Sequence, residues 1–418
     1  MNATDSSINI ALRHIKTALI FLPVFFFLMF LDANSFSIYF FMNTKIISLT
    51  HIFTLGFLVM VIMGASYMLL PVALGIKIAY EKLFFPVYYS YVASFLLFIT
   101  GMHYFITVLI ALGGLFLFIS LLVYNINILA SLKKIKRWDY SALGILFAYS
   151  YLFIGLSIGL YLALSFYFNI GFNLFDILKD HIYVMFAGFI IMLFIAISYR
   201  LLPMFYMTKT PAGYLWKTDL IIINLSIIII LISSFFTGGA GYIYLNGTGE
   251  ALLGLGVLLY CFIFFNLMLK RLKKKLDVTT FYLYSGVIFL VLATVAGLSL
   301  MIIPERMAGF YYSIYYSLGF TALFCFAGMI IIGFLHKIFP FLISLKMFEK
   351  AKKGAYNKLF ANMKTKYFEY LIFGLFLIGG LLGIFSLFLA YIVLIKLAAV
   401  ILLISSLLLL IHIFSMEW

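Results

Sequence analysis

Long apolar runs, each interrupted by a short polar or basic stretch, fill this chain of 418 residues. Runs of this length predict membrane-spanning helices, because hydrocarbon leaves each backbone N–H and C=O to be satisfied within its own segment. Twelve spans are predicted, at about 18–41, 48–71, 86–102, 104–129, 141–166, 181–205, 218–238, 250–269, 280–303, 311–335, 368–388 and 391–412. No stretch between them is long enough to fold as a soluble domain, so residues 1–418 read as a single membrane domain.

Within that pattern, three spans carry the same stripe. In the second span it is Gly56, Met60, Gly64, Tyr67 and Pro71; in the sixth it is Gly188, Met192, Ala196, Tyr199 and Pro203. The tenth holds a looser copy, Cys325, Met329, Gly333, His336 and Pro340. Spacings of three and four put the five residues on one helix face. Small residues four apart let helices approach closely in lipid, and methionine fills irregular gaps, so helix packing alone explains any one stripe. Proline near a helix end marks where the helix stops. The prolines lie 132 and then 137 residues apart, which divides the chain into three similar units of about 15–138, 139–276 and 277–418. Each unit holds four spans with the stripe on its second. Three units separate this chain from transporters built as two repeated halves.

Charge gives the orientation. Loops after even-numbered spans hold Lys77 and Lys82, then Lys133, Lys134, Lys136 and Arg137, then Lys270, Arg271, Lys273, Lys274 and Lys275. The stretch from Lys337 to Lys366 is also basic, whereas the opposite loops offer little beyond Lys45, Lys179 and Arg306. The positive-inside rule then places both termini in the cytoplasm, with the protein in the cell inner (cytoplasmic) membrane. The net charge of +15 belongs to those loops and favours anionic lipid headgroups, not nucleic acid. Arg13 and Lys16 precede an apolar run as in a signal peptide, but eleven more spans follow, so the run reads as an uncleaved first helix. Cys261 and Cys325 fall in different spans and predict neither a disulfide nor a thiolate metal site.

Six histidines are the main candidates for chemistry. The topology puts His51, His103 and His181 on the outer side and His14, His336 and His412 on the inner side. Converging neutral imidazoles bind copper, zinc or haem iron; alone, each caps a helix or bonds at the interface. His181 lies seven residues before Gly188 and returns to the striped face, while His51 lies five before Gly56 and points off it. His336 replaces the stripe tyrosine and either hydrogen-bonds a neighbouring helix or relays protons. Among charges within spans, Asp32 sits in the outer half of the first span or marks an early helix end. Arg200 and Lys396 snorkel to headgroups as anchors. No ladder of acids crosses the bilayer. Hydrolase and phosphate-binding motifs are absent, and Gly238-Gly-Ala-Gly241 is an outer turn with no strand before it.

Two segments carry a family resemblance. One is His51-Ile-Phe-Thr-Leu-Gly-Phe-Leu running to Gly64-Ala-Ser-Tyr-Met-Leu-Leu-Pro71; the other is His181-Ile-Tyr-Val-Met-Phe-Ala-Gly188 running to Ser198-Tyr-Arg-Leu-Leu-Pro203. With the twelve spans and the three units, they resemble the haem-copper oxidase subunit I superfamily, and more remotely the NnrS family of haem- and copper-containing membrane proteins. The resemblance implies an all-α fold of three four-helix units about a pseudo-threefold axis, as in cytochrome oxidase subunit I. It puts His51 at the position of the low-spin haem ligand. His181 sits nearer the surface than that family's copper ligand, and Tyr183 replaces the second histidine of the His-x-His that opens this helix in the relatives. The seventh span and the outer half of the tenth, Tyr311 to Gly319, hold no histidine, so conventional oxygen or nitric oxide reduction is not expected.

The expectation is therefore a divergent membrane protein that binds haem and/or copper through outer-side histidines, His51 and His181 for the cofactor and His181 with His103 for a metal. Its role would be redox sensing, nitric oxide response or cofactor handling, with membrane lipid and a cytochrome or oxidase subunits as partners. A small-solute or metal transporter and a non-catalytic oxidase-associated subunit are the alternatives.

Overall fold

The computed structural model describes residues 5–37, 43–171, 174–236, 239–301, 308–350 and 366–416. Among them the secondary structure is helical throughout, and twelve helices are long and apolar enough to cross a bilayer. These are α1 (Asp5–Leu31), α2 (Thr44–Leu74), α3 (Glu81–Tyr104), α4 (Thr107–Leu132), α5 (Tyr140–Phe168) and α6 (Leu174–Tyr206). They continue as α7 (Gly213–Ser233), α8 (Ala240–Leu269), α9 (Val278–Leu300), α10 (Tyr312–Lys346), α11 (Tyr367–Phe388) and α12 (Ile392–Ser415). Large apolar side chains such as Ile126, Leu255 and Phe262 are exposed along them, the surface that lipid covers in a multi-pass membrane protein.

Helix ends differ from expectation where polar residues ride on a helix instead of flanking it. α1 begins at Asp5, not near 18, and carries His14 fully buried within it. It stops at Leu31 and passes into a 3₁₀ turn, Ala33–Ser37. Asp32 therefore marks the helix end; its carboxylate pairs with Lys45 at 2.8 Å, tying this end to the start of α2. Asn43 caps α2 by accepting from the Lys45 N–H at 3.0 Å. Asp139 caps α5 through the Ala142 N–H and also pairs with Arg200 at 2.8 Å, so Arg200 is an ion-pair partner as well as an anchor. That pair is exposed and worth about 0–1 kcal/mol.

The prolines divide two ways. α2 and α6 end three residues after Pro71 and Pro203, at Leu74 and Tyr206. In α10 the helix runs on past Pro340 to Lys346, into the stretch expected to be a loop.

The contacts form two units. One comprises residues 70–275 and 294–303, and there consecutive helices from α3 to α8 pack as antiparallel neighbours. The other comprises residues 3–69, 276–293 and 304–418; in it α1 packs on α2 and α12, and α11 packs on α10 and α12.

Candidate functional site

The three striped helices share a backbone feature. Each contains an eight-residue π-helix: Ile52–Val59 in α2, Val184–Ile191 in α6 and Thr321–Gly328 in α10. The stripe methionine, Met60, Met192 or Met329, follows directly and restarts the α-helix. The first stripe residue, Gly56, Gly188 or Cys325, is the fifth residue of its π segment. The π segments thus recur at the same 132- and 137-residue offsets as the prolines. π-Helices are well under 1% of residues in proteins and cluster at functional sites. Close packing surrounds the widened turns: a Cβ at Gly188 would lie 2.7 Å from the Tyr151 ring, and one at Gly328 would lie 2.8 Å from Phe53.

The third stripe residue meets the helix before its own in all three cases. A Cβ at Gly64 would lie 2.7 Å from His14 Cβ and 2.9 Å from the Ala11 carbonyl oxygen of α1. One at Gly333 would lie 2.5 Å from Tyr282 Cβ and 3.5 Å from the Thr279 oxygen of α9. In α6 the residue is Ala196 and the glycine is on the partner: a Cβ at Gly144 of α5 would lie 2.7 Å from Ala196 Cβ. Ser141 Oγ donates to the Ala196 carbonyl at 2.6 Å. The contacted pairs, Ala11 with His14, Ser141 with Gly144 and Thr279 with Tyr282, are each three apart. Their residue types follow no shared pattern, so only the packing reveals them.

The fourth stripe residue is the hub of a buried aromatic cluster. It also stands four residues before the stripe proline, which has no N–H to donate back to the hub's carbonyl. Tyr67 is fully buried with its ring 5.9 Å from that of His14, edge to face. The Tyr199 hydroxyl donates to Asp219 Oδ2, and its ring stacks on Trp216 at 4.3 Å. Beside them the Tyr260 hydroxyl donates to Ser198 Oγ at 2.9 Å. His336 stacks on Tyr282 at 5.3 Å and lies 6.1 Å from the ring of His412. Its Nδ1–H donates to the Ile332 carbonyl of its own helix at 2.8 Å, so that hydrogen bond does not cross to a neighbour.

Of the three histidines expected on the outer side, His51 directly precedes the first π segment and is half-buried. Its Nδ1–H donates to the Ile47 carbonyl at 2.8 Å, which leaves the lone pair of a neutral ring on Nε2. His181 donates Nδ1–H to the Gly155 carbonyl of α5 at 2.9 Å. Its ring fills the notch at Gly159, where a Cβ would lie 2.8 Å from Cε1. Gly188 and His181 thus both face α5. His103 is half-buried in the last turn of α3, its ring 5.0 Å from Tyr104. His51 belongs to one unit; His103 and His181 belong to the other. Among the described residues, no three His, Cys, Asp or Glu side chains gather where they could hold a metal ion. With Nδ1–H committed to a backbone carbonyl, Nε2 is the ring atom of His51 that could act as a ligand. Cys261 and Cys325 are buried free thiols.

A charged network in α6–α8 was not anticipated. Glu250 lies well inside α8, which starts at Ala240, ten residues earlier than expected. Its Oε1 accepts from Lys179 Nζ at 3.0 Å, Tyr183 Oη at 2.8 Å and Asn246 Nδ2 at 2.8 Å. The Lys179 ammonium also lies over the rings of Tyr183 and Tyr242, at 5.8 and 5.7 Å. Tyr242 donates to Asp176 at 3.2 Å and Ser234 to Asp180 at 2.8 Å. Tyr183, the residue that breaks the His-x-His pattern, has its own partner here. The spacing Asp176, Lys179, Asp180, Tyr183 was the available signal. With fully buried Asp219, these acids put more charge inside the spans than Asp32, Arg200 and Lys396 alone.

A scan of protein-family models and a search of curated proteins each return no match for this chain.

Proposed function

We propose that this protein is a divergent multi-pass membrane protein built like haem-copper oxidase subunit I, with three four-helix units of about 15–138, 139–276 and 277–418 and both termini cytoplasmic. In this reading it binds one haem through His51 Nε2. The observation that carries the proposal is the triple recurrence of an eight-residue π segment at one register, with His51 at the mouth of the first. A bound haem supplies one-electron redox change and gas binding. The protein's own contribution is the Nδ1–H bond from His51 to Ile47, which fixes the tautomer and the ring plane. The role is redox sensing, nitric oxide response or cofactor handling beside a cytochrome or an oxidase subunit. Oxygen reduction is not proposed, since α7 has no histidine to add to a copper site. His181 is the weaker ligand candidate, because its ring already wedges α6 against α5.

The test is an absorption spectrum of detergent-purified protein made with ample haem. A Soret band that is lost in His51→Ala and kept in His103→Ala supports the reading. Homogeneous wild-type protein with neither haem nor metal overturns it.

The Lys179–Glu250 network favours a second reading, a transporter for a small solute, since intramembrane charge commonly marks a transport path. Solute uptake into proteoliposomes that is abolished in Glu250→Gln would favour it over the haem reading.

A further inference from the structure

Under the third stripe, four polar side chains from four helices meet with polar atoms left over. Tyr282 comes from α9, His336 from α10, Glu369 from α11 and His412 from α12, all within one unit. Tyr282 has no solvent exposure, and His336 and His412 are 8% and 5% exposed. The Tyr282 hydroxyl, His336 Nε2 and His412 Nε2 are buried and find no hydrogen-bond partner among the described residues. His412 Nε2 lies 3.5 Å from Glu369 Oε1, in reach of an ion pair but without hydrogen-bond geometry. Phe373 and Phe368 close the flanks, with ring centroids 4.9 Å from Tyr282 and 5.6 Å from His412.

Each such group left dry forgoes its bonds to water with nothing in return, and three together are far from the usual rule that buried polar atoms are paired. Their chemistry is complementary. His336 spends its Nδ1–H on Ile332, so its Nε2 accepts. The tyrosine hydroxyl donates as well as accepts, and the His412 and Glu369 atoms differ by one transferable proton. A water molecule needs two to four polar partners, and this cluster offers them. Glu369, 19% exposed, is the most open member. Among the described residues, Asp277 also faces His336 and is paired with Lys337 at 3.4 Å, while Lys16 of α1 lies over the Phe414 ring on the same helix as His412.

We propose that Tyr282, His336, His412 and Glu369 enclose an internal site that binds ordered water and one exchangeable proton, held between His412 Nε2 and Glu369 Oε1. In the transfer, the Glu369 O–H bond breaks as the His412 N–H bond forms, and no other bond changes. The proposal does not depend on haem binding.

The experiment is water-edited solid-state NMR on ¹⁵N-histidine protein in liposomes. The six histidines follow Arg13, Thr50, Met102, Asp180, Leu335 and Ile411, six different residue types. Carbonyl-¹³C labelling of Leu or Ile therefore assigns His336 or His412 without any substitution. Expected results are water magnetisation reaching the ring nitrogens of both residues, and an imidazolium pattern for His412 that Glu369→Gln shifts to neutral imidazole. Ring nitrogens that receive no water magnetisation, or a His412 signal that is neutral in both proteins, would overturn the site. So would stoichiometric capture of both rings by added Zn²⁺, which would make the cluster a metal site. If Glu369→Gln does not fold, the wild-type transfer alone decides.

Discussion

The Tyr199 hydroxyl donates its hydrogen bond to Asp219, a carboxyl group with no solvent exposure, and so ties the proline end of α6 to the start of α7. The second carboxyl oxygen of Asp219 has no partner among the described residues, so Tyr199 is what satisfies the group. Tyr199→Phe is expected to lower stability by about 1–3 kcal/mol, because it leaves a buried acceptor unpaired. The double variant Tyr199→Phe with Asp219→Leu removes both polar groups and is expected to recover most of the loss. Unfolding in mixed micelles measures both. A single variant as stable as the wild type would mean the bond contributes nothing.

The contact between Gly144 and Ala196 has room for one methyl group. Gly144→Ala is expected to cost about 1–3 kcal/mol by overpacking. Gly144→Ala combined with Ala196→Gly moves the methyl across the interface and is expected to restore the melting temperature. In α2 and α10 the glycine meets the Cβ of His14 or Tyr282 and a backbone oxygen of Ala11 or Thr279, with no facing methyl to move across, so Gly64→Ala and Gly333→Ala are expected to destabilise without such rescue.

Glu250 neutralises Lys179 inside a helical bundle, with both side chains about a quarter exposed. Glu250→Leu strands the ammonium and two further donors, Tyr183 and Asn246, and is expected to be more damaging than Lys179→Met. With both replaced, the melting temperature is expected to rise above that of Glu250→Leu alone, since the uncompensated charge is gone. Equal melting temperatures for Glu250→Leu and the double variant would show the pair to be uncoupled.

His181 and His51 separate by readout. Gly159→Val fills the notch that the His181 ring occupies and is expected to lower thermal stability while leaving the haem content per protein unchanged. His51→Ala is expected to do the reverse, removing the Soret band with little change in melting temperature. A loss of haem in Gly159→Val would make His181 a ligand.

The apolar runs made all twelve helices legible, because length and hydropathy are summed over twenty or so residues. Their ends were less so. Arg13, His14 and Lys16 looked like a polar flank, yet His14 packs against Tyr67 inside α1, which shifts that helix toward its N-terminus. The stripes were visible as spaced residue types, and the hub positions Tyr67, Tyr199 and His336 with them. The π segments were not, because i→i+5 bonding is a backbone state with no residue signature, and the apolar residues from Ile52 to Val59 serve either geometry. A uniform 3.6-residue period therefore carries His51 well away from Gly56, whereas a five-residue step nearly closes one π turn. Glu250 was hidden for a different reason: a helix boundary drawn at residue 250 turned a carboxylate inside a helix into one at its edge.

Between each π segment and its proline lie twelve residues of α-helix, Met60–Pro71, Met192–Pro203 and Met329–Pro340. A rod of that size is about 17 Å long and stiff, while the ladder of i→i−4 bonds is interrupted at both of its ends. Three helices of this protein are thus jointed at the same two positions of their repeated stripe. In each, the aromatic hub sits within the rod, so hub and rod form one stiff piece whose bending is confined to the two joints.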